Sequence, residues 1–276
     1  MIKSHRRLFV CKAVAIVLML LLVAIGLVGS RASSISVNSN LTKNSRINIP
    51  ILNYHKVDDQ NIALSVSPQE FDEQMGYLKS QGYNTISPDV FLSYIKGGQN
   101  LPPKPIIITF DDGYLDNYSN AYPILKKYGF TATIFLVTNL IGNDSRFMNW
   151  DQVREMQQSG FIFGSHTVNH TPLTKISTNS VKNELIQSRA KIKKELGYEP
   201  CFFAYPTGAY DLNSMKLVRE AGYDAAFTIR YGQVGPESNL YALERIPIFK
   251  GQRTFQSFFV RLKFAAVLER LGAIRN

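Results

Sequence analysis

The segment Ile106-Ile107-Ile108-Thr109-Phe110-Asp111-Asp112-Gly113 decides how this chain is read. Its first five residues are all β-branched or aromatic, with no polar alternation, which describes a strand covered on both faces. Such strands belong to parallel sheets wrapped by helices. The strand stops at two adjacent carboxylates and a glycine. Burying one carboxylate is costly unless a cation pairs with it, and burying two is worse. A cation beside Asp111 and Asp112 is one reading of the pair; an Asp112 helix cap followed by a glycine turn is the other.

The same grammar recurs on both sides of this segment. Apolar, β-branched runs occur at 49–54, 83–86, 132–137, 161–163, 201–204, 225–229 and 245–248. Helical spacing fills the intervals, first from Pro68 with Phe71, Met75 and Leu78 after a Ser67 cap, then over 88–96, 117–128, 150–159, 177–196 and 211–221. Gly82, Gly129, Gly160, Gly197 and Gly222 follow these helices closely, where a left-handed residue closes a helix. Strand, helix, glycine, strand, repeated, is an α/β fold with a mainly parallel sheet. About eight strands in roughly 230 residues predict a distorted (β/α) barrel, a single domain over 47–249. Chemistry in such barrels gathers at the C-terminal ends of the strands.

Three more strand ends carry unusual residues. Phe161-Ile162-Phe163-Gly164 leads into Ser165-His166-Thr167-Val168-Asn169-His170, which holds two of the chain's four histidines. One helical turn would bring both imidazoles to one face, as in H-x-x-x-H zinc sites, although position 167 is not the glutamate of H-E-x-x-H proteases. Two histidines and a carboxylate make a three-ligand site with open positions. A pair of capping or surface histidines is the plainer alternative. The first strand ends in Asn53-Tyr54-His55, where a lone histidine carries little signal. Residues 202–210, Phe-Phe-Ala-Tyr-Pro-Thr-Gly-Ala-Tyr, read as a stiff aromatic turn.

Charge narrows the partners. The formal net charge is +10, yet residues 47–249 hold 18 basic and 20 acidic side chains. The excess sits in seven basic residues up to Arg46 and six from Lys250 onward. A nucleic-acid-binding face would carry its charge on the folded body, so the pattern argues for no nucleic-acid partner. Lys3, Arg6, Arg7 and Lys12 precede an uncharged run from Ala13 to Gly29. Such a run needs help from its flanks to span a bilayer, and the basic residues before it would direct the remainder of the chain to be exported. Ser30-Arg31-Ala32 resembles a small-residue cleavage site. Residues 1–31 are therefore expected to be a basic cytoplasmic stub with a transmembrane anchor, or a cleaved signal peptide. Residues 32–46, rich in Ser and Asn, are expected to be a flexible linker. Cys11 and Cys201 offer no internal disulfide to the domain.

Taken together, Thr109-Phe110-Asp111-Asp112-Gly113 and Ser165-His166-Thr167-Val168-Asn169-His170 are similar to the first two motifs of the polysaccharide deacetylases, the NodB-homology domains of carbohydrate esterase family 4. The resemblance covers most of 47–248. It implies a distorted (β/α) barrel as a single catalytic domain, and metal-dependent removal of N- or O-acetyl groups from sugars. By that resemblance Asp112, His166 and His170 bind the metal and Asp111 is the catalytic base. Later motifs depart from the commonest pattern. Residues 204–208 read Ala-Tyr-Pro-Thr-Gly where many members have Arg-Pro-Pro-Tyr-Gly, and no Leu-x-x-x-His-Asp segment follows. The chain is more similar to the poly-N-acetylglucosamine deacetylase branch, whose acid histidine lies in an Asn/Ser-Tyr-His segment on the first strand. That likeness implies His55 as general acid, with Arg245 standing in for the missing arginine beside Asp111.

The chemistry asks for these residue types. An acetamide is a poor electrophile and its amine a poor leaving group, so a metal, a base and an acid are all useful. Zn²⁺ is the first expectation for the cofactor, with Co²⁺, Ni²⁺ or Fe²⁺ also suited to the donors. The Thr207 backbone N–H is expected to face the oxyanion. Tyr205, Tyr210 and Trp150 are expected to stack on sugar faces. The expected partner is an acetylated cell-envelope or extracellular glycan: poly-N-acetylglucosamine, peptidoglycan or a chitin-like oligomer. The alternative is a catalytically inactive carbohydrate-binding member of the same fold. A serine hydrolase lacks its G-x-S-x-G, and the parallel pattern opposes an Fe(II) oxygenase barrel. Residues 250–276 form a basic amphipathic helix, which either packs on the barrel or lies on an anionic membrane surface.

Overall fold

The computed structural model describes residues 48–250 and 254–264. The expected anchor or signal segment, the linker and the stretch past residue 264 lie outside the described residues. Among the described residues no helix is long and apolar enough to cross a membrane. The strands in chain order are β1 (Ile49–Tyr54), β2 (Lys56–Val57), β3 (Ser65–Val66), β4 (Asn84–Thr85), β5 (Pro105–Phe110), β6 (Thr133–Leu136), β7 (Ile162–Ser165), β8 (Phe202–Ala204), β9 (Ala225–Tyr231), β10 (Gln233–Val234) and β11 (Leu243–Pro247). The helices are α1 (Pro68–Ser80), α2 (Pro88–Ile95), α3 (Tyr122–Tyr128), α4 (Trp150–Gln158), α5 (Thr178–Leu196), α6 (Leu212–Glu220) and α7 (Thr254–Lys263).

β1, β5, β6, β7, β8, β9 and β11 pair in parallel in that order, and β1 pairs with both β5 and β11, so the sheet closes on itself. The result is a (β/α) barrel of seven strands. The eighth expected strand, over 83–86, shrinks to β4, which pairs only with β5 and stays outside the ring. β10 adds antiparallel to β1 at Ile49 and Pro50.

Side chains two apart on a strand share a face, and that rule sorts the core. Ile49, Ile51, Ile107, Phe135, Phe202, Ala204, Ala225, Phe227 and Leu243 form one buried cluster, together with Phe91 and Leu92 of α2. Phe135 and Phe227 stand on non-adjacent strands with ring centroids 5.1 Å apart, which identifies this cluster as the barrel interior. Gly164 makes room for it: a Cβ there would lie 2.7 Å from the Phe135 ring and from the Phe202 carbonyl. The alternate residues Leu52, Tyr54, Ile106, Ile108, Phe110, Ile134 and Phe163 pack outward on Phe71, Met75 and Leu78 of α1, Leu125 of α3, and Val153 and Met156 of α4. Phe203, Tyr205 and Ala226 meet Val181 and Leu185 of α5 and Leu217 and Val218 of α6.

Local signals set the helix ends. Ser67 caps α1 through a full capping box with Glu70, followed by Pro68 at the first helical position. Gly129 and Gly197 close α3 and α5 with φ of 69° and 77°, a conformation that strains other residues. Pro123 stands in the segment 117–128, whose first part, Asn117–Ala121, is a π-helical turn. Over the described residues α7 packs on α1 through buried Phe258 and Leu262 and the rings of Tyr77 and Phe259, 5.7 Å apart. Arg261 secures it with a 2.6 Å hydrogen bond to the Pro247 carbonyl.

Candidate active site

The inward-facing series continue upward past their apolar members. Ile49 and Ile51 lead to Asn53, Ile107 leads to Thr109 and Asp111, Gly164 leads to His166, and Leu243 leads to Arg245. The upper mouth of the barrel is therefore polar, and every one of these polar residues is buried. Arg245 is fully buried and grips Asp111 bidentately, Nη1 to Oδ1 at 2.8 Å and Nη2 to Oδ2 at 2.7 Å. Its Nε donates to the Thr228 carbonyl at 2.7 Å and its Nη1 also to Thr109 Oγ1 at 3.1 Å. Register shifts between Leu243 and Arg245 where β11 meets β9, an irregularity of the sort that re-aims side chains beside active sites. Asn53 Nδ2 adds a third bond to Asp111 Oδ2 at 3.0 Å. Burial alone would push the Asp111 carboxyl up; the charge and hydrogen bonds of Arg245, with the nearby histidines, hold it well below the usual carboxylate range.

Asp112 turns away from this pair. Its φ of 74° is rare for a residue with a side chain, and Thr167, His170 and Thr207 share that conformation at 68°, 58° and 59°. Strain of this kind gathers at functional sites. The carboxylate of Asp112 lies 3.5 Å from His166 Nε2 and 3.4 Å from His170 Nε2. All three candidate donor atoms fall within 4.8 Å of one another. Two ligands about 2.1 Å from one tetrahedral ion stand roughly 3.4 Å apart, so the donors are spaced for a shared cation. The protonation states agree. His166 Nδ1 donates to the Ala204 carbonyl at 2.7 Å, which leaves Nε2 as the free donor atom. Burial holds His166 neutral, with its pKa down to about 3, and lowers that of His170. Burial, with the neighbouring Asp111 charge, raises Asp112 to about 6.

The two histidines do not share a helical turn, as their spacing suggested. Residues 166–171 are a loop, and the rings meet at 4.8 Å because Thr167 and His170 both turn left-handed. His55, beyond β1, brings Nε2 to 3.9 Å from Asp111 Oδ2 and lies over Phe249. Thr207 sits exposed in the turn after β8, where the N–H groups of Gly208 and Ala209 are spent on Tyr205 and Pro206. The expected sugar-stacking residues divide. Tyr205 is fully buried, because it continues the outward series from Phe203, and its hydroxyl donates to Tyr241 O at 2.9 Å. Tyr210 lies half-buried against Tyr205 and accepts a bond from Arg230. Trp150 opens α4 and packs on the core, with Lys191 Nζ 5.5 Å from its ring, and makes no ring contact with a site residue. Tyr205, fully buried, is not placed to meet a sugar.

Sequence reasoning missed Asn53, Tyr114 and Glu184. Asn53 aims Asp111, the Tyr114 hydroxyl beside Asp112 favours its ionised form, and Glu184 binds the histidine loop. Glu184 could have been found as the one charge on the buried face of α5, among Val181, Leu185, Ser188 and Ile192.

Comparison with known proteins agrees with this barrel. The family profile named polysaccharide deacetylase matches residues 98–226. The poly-β-1,6-N-acetyl-D-glucosamine N-deacetylase of Staphylococcus aureus is 31% identical over 226 residues, covering 71% of this chain and 77% of that protein. The deacetylase PplD of Streptococcus pyogenes, solved in complex with acetate, superposes with a TM-score of 0.73 at 29% identity over 79% of this chain and all of its own. IcaB of Ammonifex degensii gives 0.69 at 26% identity, over 78% of this chain and 97% of its own. A seven-stranded barrel with these strand-end motifs defines a carbohydrate deacetylase scaffold. The chain belongs to the polysaccharide deacetylase family.

Proposed function

We propose that this chain hydrolyses N-acetyl groups on a polysaccharide containing N-acetylglucosamine, releasing acetate and leaving a free amine on the sugar. One observation carries the reading: Asp111, aimed by Arg245 and Asn53, stands beside the Asp112, His166 and His170 donor set without being spent on it. A divalent cation held by those three side chains supplies Lewis acidity, polarising the acetyl carbonyl and bringing the pKa of a water toward about 7. Zn²⁺ suits the donors best, and Co²⁺, Ni²⁺ or Fe²⁺ also fit.

The chain's own groups divide the remaining work. Asp111 accepts the proton of the attacking water. Arg245 makes that carboxylate a weaker base, and in exchange keeps it ionised through the neutral range and fixed in direction. The Thr207 N–H meets the negative charge that develops on the acetyl oxygen. His55 protonates the departing nitrogen; its Nε2 is 3.9 Å from Asp111 Oδ2, so proton donor and proton acceptor serve the same amide bond. The neutral folded body and the basic, apolar start of the chain support an exported domain acting on a cell-envelope or extracellular glycan, tethered by residues 1–31 or released from them.

The substrate reading is tested by acetate release from β-1,6-linked N-acetylglucosamine oligomers beside chitin oligomers, peptidoglycan fragments and O-acetylated sugars. Preferred turnover of the β-1,6 oligomers is expected. Cleavage of O-acetyl esters alone would overturn the amide reading.

A further inference from the structure

The loop that carries both histidines is held by a residue outside the donor set. Glu184 lies in the middle of the first half of α5, nearly buried, and its carboxylate is wholly directed at this loop. Oε2 accepts from the N–H of Val168 at 2.8 Å and of Asn169 at 3.0 Å. Oε1 accepts from Asn169 Nδ2 at 2.7 Å. One turn further on, Ser188 takes a 2.7 Å bond from Ser165 Oγ, which itself accepts from the N–H of Thr167. From the opposite side the N–H groups of Thr138 and Asn139 bind the carbonyls of Thr167 and Val168.

The loop needs such holding. Thr167 and His170 are both left-handed, which is uncommon for any residue with a side chain and rarer for a β-branched one. That backbone persists only where its surroundings over-determine it. Left alone, the segment would relax toward ordinary dihedrals and carry His170 away from Asp112. We propose that Glu184 is a positioning residue for metal binding: by fixing the 168–169 peptide units it keeps His166 and His170 at ligand separation from Asp112. A carboxylate suits the position: all three groups facing it are N–H donors, and a glutamine could match them only against a flipped Asn169 amide, which would give up the bond it accepts from Asn139 Nδ2.

This inference rests on the reading of Asp112, His166 and His170 as metal ligands, and the experiment separates the two. Glu184→Gln, Glu184→Ala and Leu185→Val are made in the full chain and titrated with Zn²⁺ against a chelating dye. Thermal melts of the metal-free proteins and the visible spectrum of the Co²⁺ forms are recorded alongside. Glu184→Gln, nearly isosteric, is expected to fold and to bind Zn²⁺ about 10–100-fold more weakly, with an altered Co²⁺ spectrum. Leu185→Val, the next residue on α5, is expected to lower the melting temperature and leave the Zn²⁺ affinity unchanged. Wild-type affinity and an unchanged Co²⁺ spectrum in Glu184→Gln would overturn the positioning role. Equal weakening by Leu185→Val would overturn it too, as general loosening of the helix. A wild-type protein that binds no stoichiometric Zn²⁺ would overturn the ligand reading beneath it.

Discussion

Replacing Arg245 by methionine should expose how the polar mouth of this barrel is balanced. Arg245 is fully buried and supplies Asp111 with two charge-assisted hydrogen bonds, besides those to Thr228 and Thr109. Methionine fills much of the aliphatic volume and leaves a buried carboxylate with only Asn53 as donor. Breaking a buried ion pair from one side costs about 3–5 kcal/mol, out of a domain stability of about 5–15 kcal/mol. At roughly 2–4 °C per kcal/mol for a domain of 150–250 residues, the melting temperature should fall by about 6–20 °C. Most of that loss comes from the orphaned charge. Adding Asp111→Asn to Arg245→Met removes the charge and keeps an acceptor for Asn53, so the double variant should melt above the single one. The assay is calorimetric melting at pH 7.5 with a chelator, so that bound metal adds nothing to the native state. A double variant that melts at or below Arg245→Met would refute the reasoning and assign the cost to lost packing.

Three further outcomes are expected of the site and its barrel. His166→Ala should abolish both Zn²⁺ binding and activity, whereas Trp150→Phe should leave turnover within about twofold, since the ring packs on the core; a substrate-binding defect in Trp150→Phe would contradict that placement. Zn²⁺ affinity should weaken on going from pH 7.5 to 5.5, because Asp112, with its pKa raised to about 6 in the metal-free protein, takes up a competing proton as pH falls; affinity independent of pH over that range would be evidence against Asp112 as a ligand. Gly164→Ala should destabilise the fold by about 1–3 kcal/mol in denaturant melts, since its Cβ meets the Phe135 ring and the Phe202 carbonyl at 2.7 Å, and a neutral result would mean the barrel interior is looser than described.

Much of this architecture is legible in residue order, and the legible part has one physical source. Period-two alternation tells which side chains face the barrel interior, and the series through Ile51 and Asn53, or Ile107, Thr109 and Asp111, change from apolar to polar at the strand ends. Applied to Phe203 and Tyr205, the same rule turns Tyr205 outward toward α5 and α6, which is why it stacks on no sugar. The 166–170 conformation was not legible. Spacing of four suggests a helical turn, but the loop is shaped by Glu184 and Ser188 on α5 and by Asn139, residues 14 or more positions distant whose contacts no local pattern reports. Closure with seven strands was hidden for a similar reason. The run at 83–86 has strand composition, and only pairing decides that Asn84 and Thr85 add to the outside of β5.

The central claim is that Asp111 is the proton acceptor beside a cation held by Asp112, His166 and His170. Acetate release from N-acetylglucosamine oligomers, measured with Zn²⁺, after chelation and for Asp111→Asn with its bound Zn²⁺ quantified, tests it most directly. Release should disappear on chelation and return with Zn²⁺, and the Asp111→Asn protein should bind the metal yet release no acetate. Undiminished release by Asp111→Asn, or by the chelated wild type, would contradict it.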